Sequence, residues 1–255
     1  MFRLDQYAYN NRLQKVHPGE KVAFALVTLL IVLAAPRPLI AALVIVMMAG
    51  AATVIAGIPF RFYLKLMLVP FSFLAASATM IALTISHQPQ AGLRGVTIWG
   101  WTLGVTPEGL YLAARVLLKS LGATACLYFL SLTTPVVDIL AVLRRARVPA
   151  LLLDLITLTY RFIFVLLATV NDTYTAQVSR LGYASLCSSY RSLGQLAASL
   201  FIKTYRRSQE LFTALTARGY QEELVVLETV YPFSWTFLCL GALFDLFLFF
   251  LMLLT

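Results

Sequence analysis

Five apolar runs, each long enough to cross a lipid bilayer, constrain this 255-residue chain more than any other feature of it. A helix needs about 20 apolar residues to traverse the hydrocarbon core. The runs are Pro18 to Ala35, Leu39 to Gly57, Leu66 to Ser86, Leu110 to Thr133 and Phe233 to Thr255. Prolines punctuate them: Pro18 suits an early helical position, and Pro36 and Pro38 end the first run. The tight Pro36-Arg37-Pro38 break makes those two an antiparallel pair. Only 12% of the chain is charged, against about 25% in soluble domains, which excludes a water-exposed globule.

Charge orients the spans. Ten of the twenty Lys and Arg residues fall between the fourth and last runs. With the N-terminus inside, Arg3, Arg12, Lys15, Lys21, Arg61 and Lys65 join that block, and the outer loops keep only Arg37 and Arg94. The net charge of +9 is thereby assigned to topology and to contact with the lipid bilayer, not to nucleic acid. The polar N-terminus does not read as a cleavable signal peptide. The outer loop from His87 to Pro107 carries Trp99 and Trp101 and reads as a hairpin at the membrane surface.

Val148 to Val170 is a sixth apolar stretch, but it holds Asp154, Tyr160 and Arg161. A crossing there would export every basic residue from Arg180 onward, so it is assigned to a helix against the inner face. Asp154 and Arg161, seven apart, are expected to pair within that layer. The chain is therefore expected to be an all-α integral membrane protein. It should have about five transmembrane helices and a cytoplasmic layer of three long amphipathic helices. Its parts would be residues 1–133 with four spans, 134–232 as the cytoplasmic part, and 233–255 as the fifth span.

Two arginine-glycine boxes lie in the cytoplasmic part: Ala176-Gln177-Val178-Ser179-Arg180-Leu181-Gly182 and Ala217-Arg218-Gly219. Each glycine is expected in the left-handed position that ends a helix. Two readings fit. An arginine in the last turn before glycine favours the helix dipole by a few tenths of a kcal/mol, and that alone could explain it. Alternatively, two helix ends 38 residues apart present guanidinium forks to a dimeric partner, where Lys could not substitute.

Arg115 and Lys119, four residues apart in the fourth span, and Asp245 in the fifth are charges set within spans. Either base could pair with Asp245, or both could snorkel to the outer interface. His17 and His87 fall on opposite sides of the membrane, and Cys126, Cys187 and Cys239 are scattered, so no metal site, cofactor or disulfide framework is indicated. An intramembrane enzyme would need paired carboxylates or a His/Asp/Ser constellation at membrane depth; Asp245 stands without one.

Several segments, weak singly, are specific in their order. They are Asp5-Gln6-Tyr7-Ala8-Tyr9, His17-Pro18-Gly19-Glu20-Lys21, Gly104-Val105-Thr106-Pro107-Glu108-Gly109-Leu110, Thr133-Thr134-Pro135, Leu143-Arg144-Arg145-Ala146-Arg147-Val148-Pro149 and Tyr160-Arg161-Phe162-Ile163, followed by both boxes. With them the chain resembles the T component of energy-coupling factor (ECF) transporters, most of all the cobalt-type branch, CbiQ. The resemblance implies a non-catalytic scaffold in a bacterial cell membrane. Its coupling boxes (Ala176, Gln177, Ser179, Arg180, Gly182; Ala217, Arg218, Gly219) would engage two ATP-binding-cassette subunits. A separate substrate-binding S component with an accessory membrane subunit would carry cobalt, or alternatively nickel or a vitamin such as biotin. The first box departs from the second in placing Leu181 between arginine and glycine.

Overall fold

The computed structural model describes residues 3–86, 94–98, 101–219, 231 and 234–254. His87 and Trp99 lie outside these residues, and for Trp101 only the backbone is described. The helices are α1 (Arg3–Tyr9), α2 (Pro18–Ala34), α3 (Pro38–Gly50), α4 (Phe60–Ala82), α5 (Pro107–Thr133), α6 (Val136–Arg145), α7 (Ala150–Ser179), α8 (Leu186–Ala217) and α9 (Trp235–Leu254). A π-helical turn, Ala51–Ile55, prolongs α3. Strands β1 (Leu83–Ser86), β2 (Arg94–Ile98) and β3 (Trp101–Val105) form one small antiparallel sheet in the order β1-β3-β2. The expected hairpin is thus β2 and β3, with Ile98 opposite Trp101, and β1 pairs on the far edge of β3.

The helix starts follow local chemistry. The imidazole Nδ1 of His17 accepts from the Gly19 N–H at 3.0 Å, and Pro18 opens α2. Thr106 Oγ1 accepts from the Gly109 N–H at 3.1 Å, and Pro107 opens α5.

Among the described residues, five helices are long and apolar enough to cross a membrane: α3 with its π turn, α4, α5, α7 and α9. This is a multi-pass, essentially all-α integral membrane protein. The set differs at two places from the five runs read above: it contains α7 and lacks α2. α2 is only 17 residues long, about 26 Å at 1.5 Å per residue, because prolines bound the run on both sides. α7, at 30 residues, continues well past the apolar stretch.

The chain divides into two compact units, residues 2–139 with 230–255, and residues 140–229. In the first, α5 packs on α2, α3 and α4, while α9 packs on α2 and α3. The core holds Val32, Ile40, Val44, Met48, Phe129 and Leu132, all fully enclosed. Small residues let backbones approach, as membrane helices require. A Cβ on Gly122 would come 3.1 Å from Val32 and 3.4 Å from the Ala41 carbonyl oxygen. Many large apolar side chains point outward, such as Val54, Val69, Phe73, Met80 and Leu243, where lipid is the natural solvent.

The second unit is built on α7 packed against α8. Of the three helices expected in the cytoplasmic layer, two are long and α6 has only ten residues. Its end is a Schellman turn: the Val148 N–H reaches the Leu143 carbonyl and the Arg147 N–H reaches that of Arg144. Arg147 there takes a left-handed φ of 62°, and Pro149 disfavours helix at the residue before it.

Candidate functional site

Both box arginines occupy helix ends. Arg180 is the C-cap of α7 and Arg218 the C-cap of α8, with similar backbone angles (φ −99°, ψ 17° and φ −94°, ψ 8°). Both are exposed, as are Ala176, Ser179, Ala217 and Gly219. Among the described residues neither arginine forms a salt bridge. Guanidinium groups held this way keep their donors available for carboxylate or carbonyl acceptors brought by another molecule.

The glycines do not do the same job. Gly219 has the expected left-handed φ of 77°, with open space where a side chain would go. Gly182 corrects the expectation: the left-handed residue of the first box is Leu181, at φ 58°. Here the Gly182 N–H bonds the Gln177 carbonyl at 2.9 Å and the Leu181 N–H that of Val178 at 3.0 Å, a complete Schellman turn displaced by one residue from the glycine. Gly182 serves close packing instead. A Cβ on it would lie 2.8 Å from the Gln177 carbonyl oxygen and 2.8 Å from Ser192 Oγ. Its own carbonyl accepts from the hydroxyls of Ser188 and Ser192, each at 2.8 Å, so the turn is fastened to the start of α8.

Gln177 belongs to that fastening. Its Nε2 donates to the Ser192 carbonyl at 2.9 Å and its Oε1 accepts from Tyr183 at 2.8 Å. It is half-buried and faces its own unit. Ser192 and Tyr183 escaped the sequence reading, since nothing in a serine or tyrosine ten or fewer residues past the box marks it as a support. At the opposite end of α7, the nearly enclosed carboxylate of Asp154 is bridged by Arg144 at 3.9 Å, rather than by Arg161 as its spacing suggested.

The intramembrane charges also differ from expectation. Asp245 Oδ1 accepts from Thr28 Oγ1 at 2.8 Å, and among the described residues neither Arg115 nor Lys119 makes a salt bridge with it. The α5 residue near Asp245 is Cys126, which lies seven residues, about 10 Å along the helix, beyond Lys119. Arg115 and Lys119 are half-buried on α5.

A buried polar cluster in the first unit was missed. Lys21 is fully enclosed and its Nζ donates to the Thr133 carbonyl at 3.2 Å. The carboxylates of Asp138 and Glu20 are near enough to stabilise its charge. Tyr231 donates its hydroxyl to Asp138 at 3.1 Å, and the Ser234 N–H donates to Glu20 at 2.9 Å. Burial raises the Asp138 carboxyl above its ordinary range, while the Tyr231 bond and Lys21 draw it back. The visible signal was two adjacent charges, Glu20 and Lys21, inside the first turn of an apolar run.

Comparison with known proteins adds the decisive observation. The family CbiQ, cobalt transport protein, matches residues 10–229. The chain belongs to the CbiQ family of cobalt transport proteins. It is 32% identical over 221 residues to the cobalt transport protein CbiQ of Salmonella typhimurium, covering 87% of this chain and 98% of that one. A putative fused cobalt transport protein CbiMQ of Methanocorpusculum labreanum is 32% identical over 85% of this chain, which spans 36% of the fused protein. The ECF transporter transmembrane protein EcfT of Ruminiclostridium cellulolyticum is 29% identical over 70% of this chain and 68% of its own length. This CbiQ-family chain is accordingly the transmembrane component of a transporter.

Proposed function

We propose that this chain is the scaffold of an ECF-type importer that couples two ATP-binding-cassette subunits to a separate substrate-binding membrane subunit. The cargo is cobalt(II). The observation that carries the reading is the pair of long helices, α7 and α8, each ending in an exposed arginine at its C-cap. Each arginine docks one ATPase subunit, and ATP-driven closure of the ATPase dimer draws the two helix ends together. Residues 134–232 are the cytoplasmic coupling part, with α6, α7 and α8 as coupling helices, and the N-terminus is cytoplasmic. α7 lies along the inner membrane face: crossing would carry Arg180 and the basic residues after it outward, against the charge bias. The chain itself carries no catalytic step.

The fused CbiMQ relative supports a membrane partner for this chain, since there a related segment is part of a larger single protein. The family and the cobalt-named relatives support the cargo.

Co-expression with the ATPase and membrane subunits tests this. The wild-type chain retains the ATPase in detergent, and the double variant Arg180→Glu/Arg218→Glu releases it and abolishes uptake of radiolabelled cobalt. Wild-type retention by the double variant would return both arginines to plain helix caps. Uptake of nickel or biotin without cobalt would reassign the cargo.

A further inference from the structure

α2 and α9 run parallel, held by two carboxylates. At their first turns Glu20 Oε1 accepts from the Ser234 N–H at 2.9 Å. Eight residues on in α2 and eleven on in α9, Thr28 Oγ1 meets Asp245 Oδ1 at 2.8 Å. Between these bonds Phe24 fills the space over Gly241, where a Cβ would lie 3.0 Å from its ring.

These contacts leave acceptors over. Glu20 is 4% exposed, yet its Oε2 has no hydrogen-bond partner among the described residues. Thr28 has one hydroxyl proton, and the Phe24 carbonyl, also at 2.8 Å, competes with Asp245 for it. Asp245 is the eleventh of twenty residues in α9 and has no salt bridge among the described residues. Lys21 lies beside two carboxylates, Glu20 and Asp138, and its hydrogen bond goes to the Thr133 carbonyl and not to Glu20. Both Glu20 and Asp245 line an open groove of about 430 Å³ along α2 and α9, otherwise walled by apolar side chains including Val27, Phe237, Ala242 and Leu246. A carboxylate halfway along a span is costly unless protein or water satisfies it.

We propose that this groove seats a transmembrane helix of the partner membrane subunit, which brings a basic side chain to Asp245 and a second donor to Glu20. The inference rests on the scaffold reading and names where its membrane partner docks. Eight residues of helix separate the two acceptors by about 12 Å along α2. A partner helix presents donors at that interval, about two turns apart. A lipid amine reaches only one of the two and an acyl chain offers no donor, while carboxylates so far apart do not share one metal ion. Ala23 and Ala242 in the groove walls allow close helix approach.

The test is purification of the chain co-expressed with its ATPase and membrane subunits, with each subunit quantified against the chain. Asp245→Lys is expected to lower the retained membrane subunit by at least about tenfold, since it sets like charge against the partner's base. Ala242→Trp, which fills the groove and leaves both carboxylates in the sequence, gives the same loss. Both variants keep the ATPase at the wild-type level. Thr28→Val removes only the internal bond, so it lowers the melting temperature and keeps the membrane subunit. Ala242→Trp carries the test alone if Asp245→Lys does not fold. Full retention by the groove variants overturns the proposal, as does a loss in Thr28→Val equal to that in Asp245→Lys. Native mass spectrometry showing an amine-headed phospholipid released by Asp245→Lys, with the membrane subunit retained, overturns it in favour of lipid. Failure of the wild type to hold the ATPase would instead strike the scaffold reading.

Discussion

The first and second boxes end in arginine C-caps of nearly the same backbone geometry, yet they are held by different means. The end of α8 is a local device: Gly219 supplies the left-handed residue and its Cβ position faces open space. The end of α7 is a tertiary device. Leu181 takes the left-handed conformation at a cost of about 1–2 kcal/mol for a residue with a Cβ. Gly182, Gln177, Ser188 and Ser192 then clamp the turn onto α8. The same cap geometry can thus be set by one residue's conformational freedom or imposed on an unfavourable residue by its surroundings. Leu181 is 76% exposed, so its own side chain does not contribute to the clamp.

The largest expected effects concern the arginines. Arg180→Glu and Arg218→Glu, made singly, should each weaken ATPase retention by roughly 2–5 kcal/mol, as for a hydrogen-bonded charge pair that loses one partner. Titrating the ATPase against each variant compares the two ends directly. If only one matters, they are not equivalent handles despite their shared geometry.

Gly182→Ala comes next. It drives a methyl against backbone and a clamping hydroxyl at once, for an expected loss of about 1–3 kcal/mol. A thermal melt in detergent reads it, and an unchanged melt would mean that the α7–α8 turn yields easily. Gly219→Ala should cost about 1 kcal/mol, from left-handed strain alone. The effect should be confined to the end of α8, visible as faster hydrogen exchange there with little change in global melting. Leu181→Gly is the smallest and has the opposite sign. It should stabilise by a few tenths to about 1 kcal/mol, because relief of strain exceeds the added backbone entropy of glycine. Destabilisation by Leu181→Gly would show that the leucine side chain supports the turn.

Most of the fold was legible in the sequence because its signals are local. Apolar runs, bounding prolines, capping residues and the positions of Arg180 and Arg218 all act within a turn or two of themselves. What was misread depends on residues distant in sequence. Gly182 was expected to be left-handed because Arg-x-Gly resembles a cap; its real constraint is Ser192, ten residues later. Asp154 was paired with Arg161 by helical spacing, but α6 supplies Arg144 instead. For Asp245 the sequence leaves two readings open, pairing with a base of the fourth span or none, and the packing puts Thr28 of α2 against it.

The sequence alone determined that this chain is a membrane protein with two arginine-ended helices. Hydrophobic length, charge bias and capping chemistry are properties of short segments and survive without knowledge of neighbours. Only the tertiary structure decided which charges meet. Lys21, Glu20 and Asp138 become one buried cluster, and Glu20 and Asp245 become two under-satisfied acceptors on one groove, through the packing of α2, α5 and α9. An ionisable group in an apolar unit takes its partner from whichever helix packs against it, and a linear pattern of residues does not specify that helix.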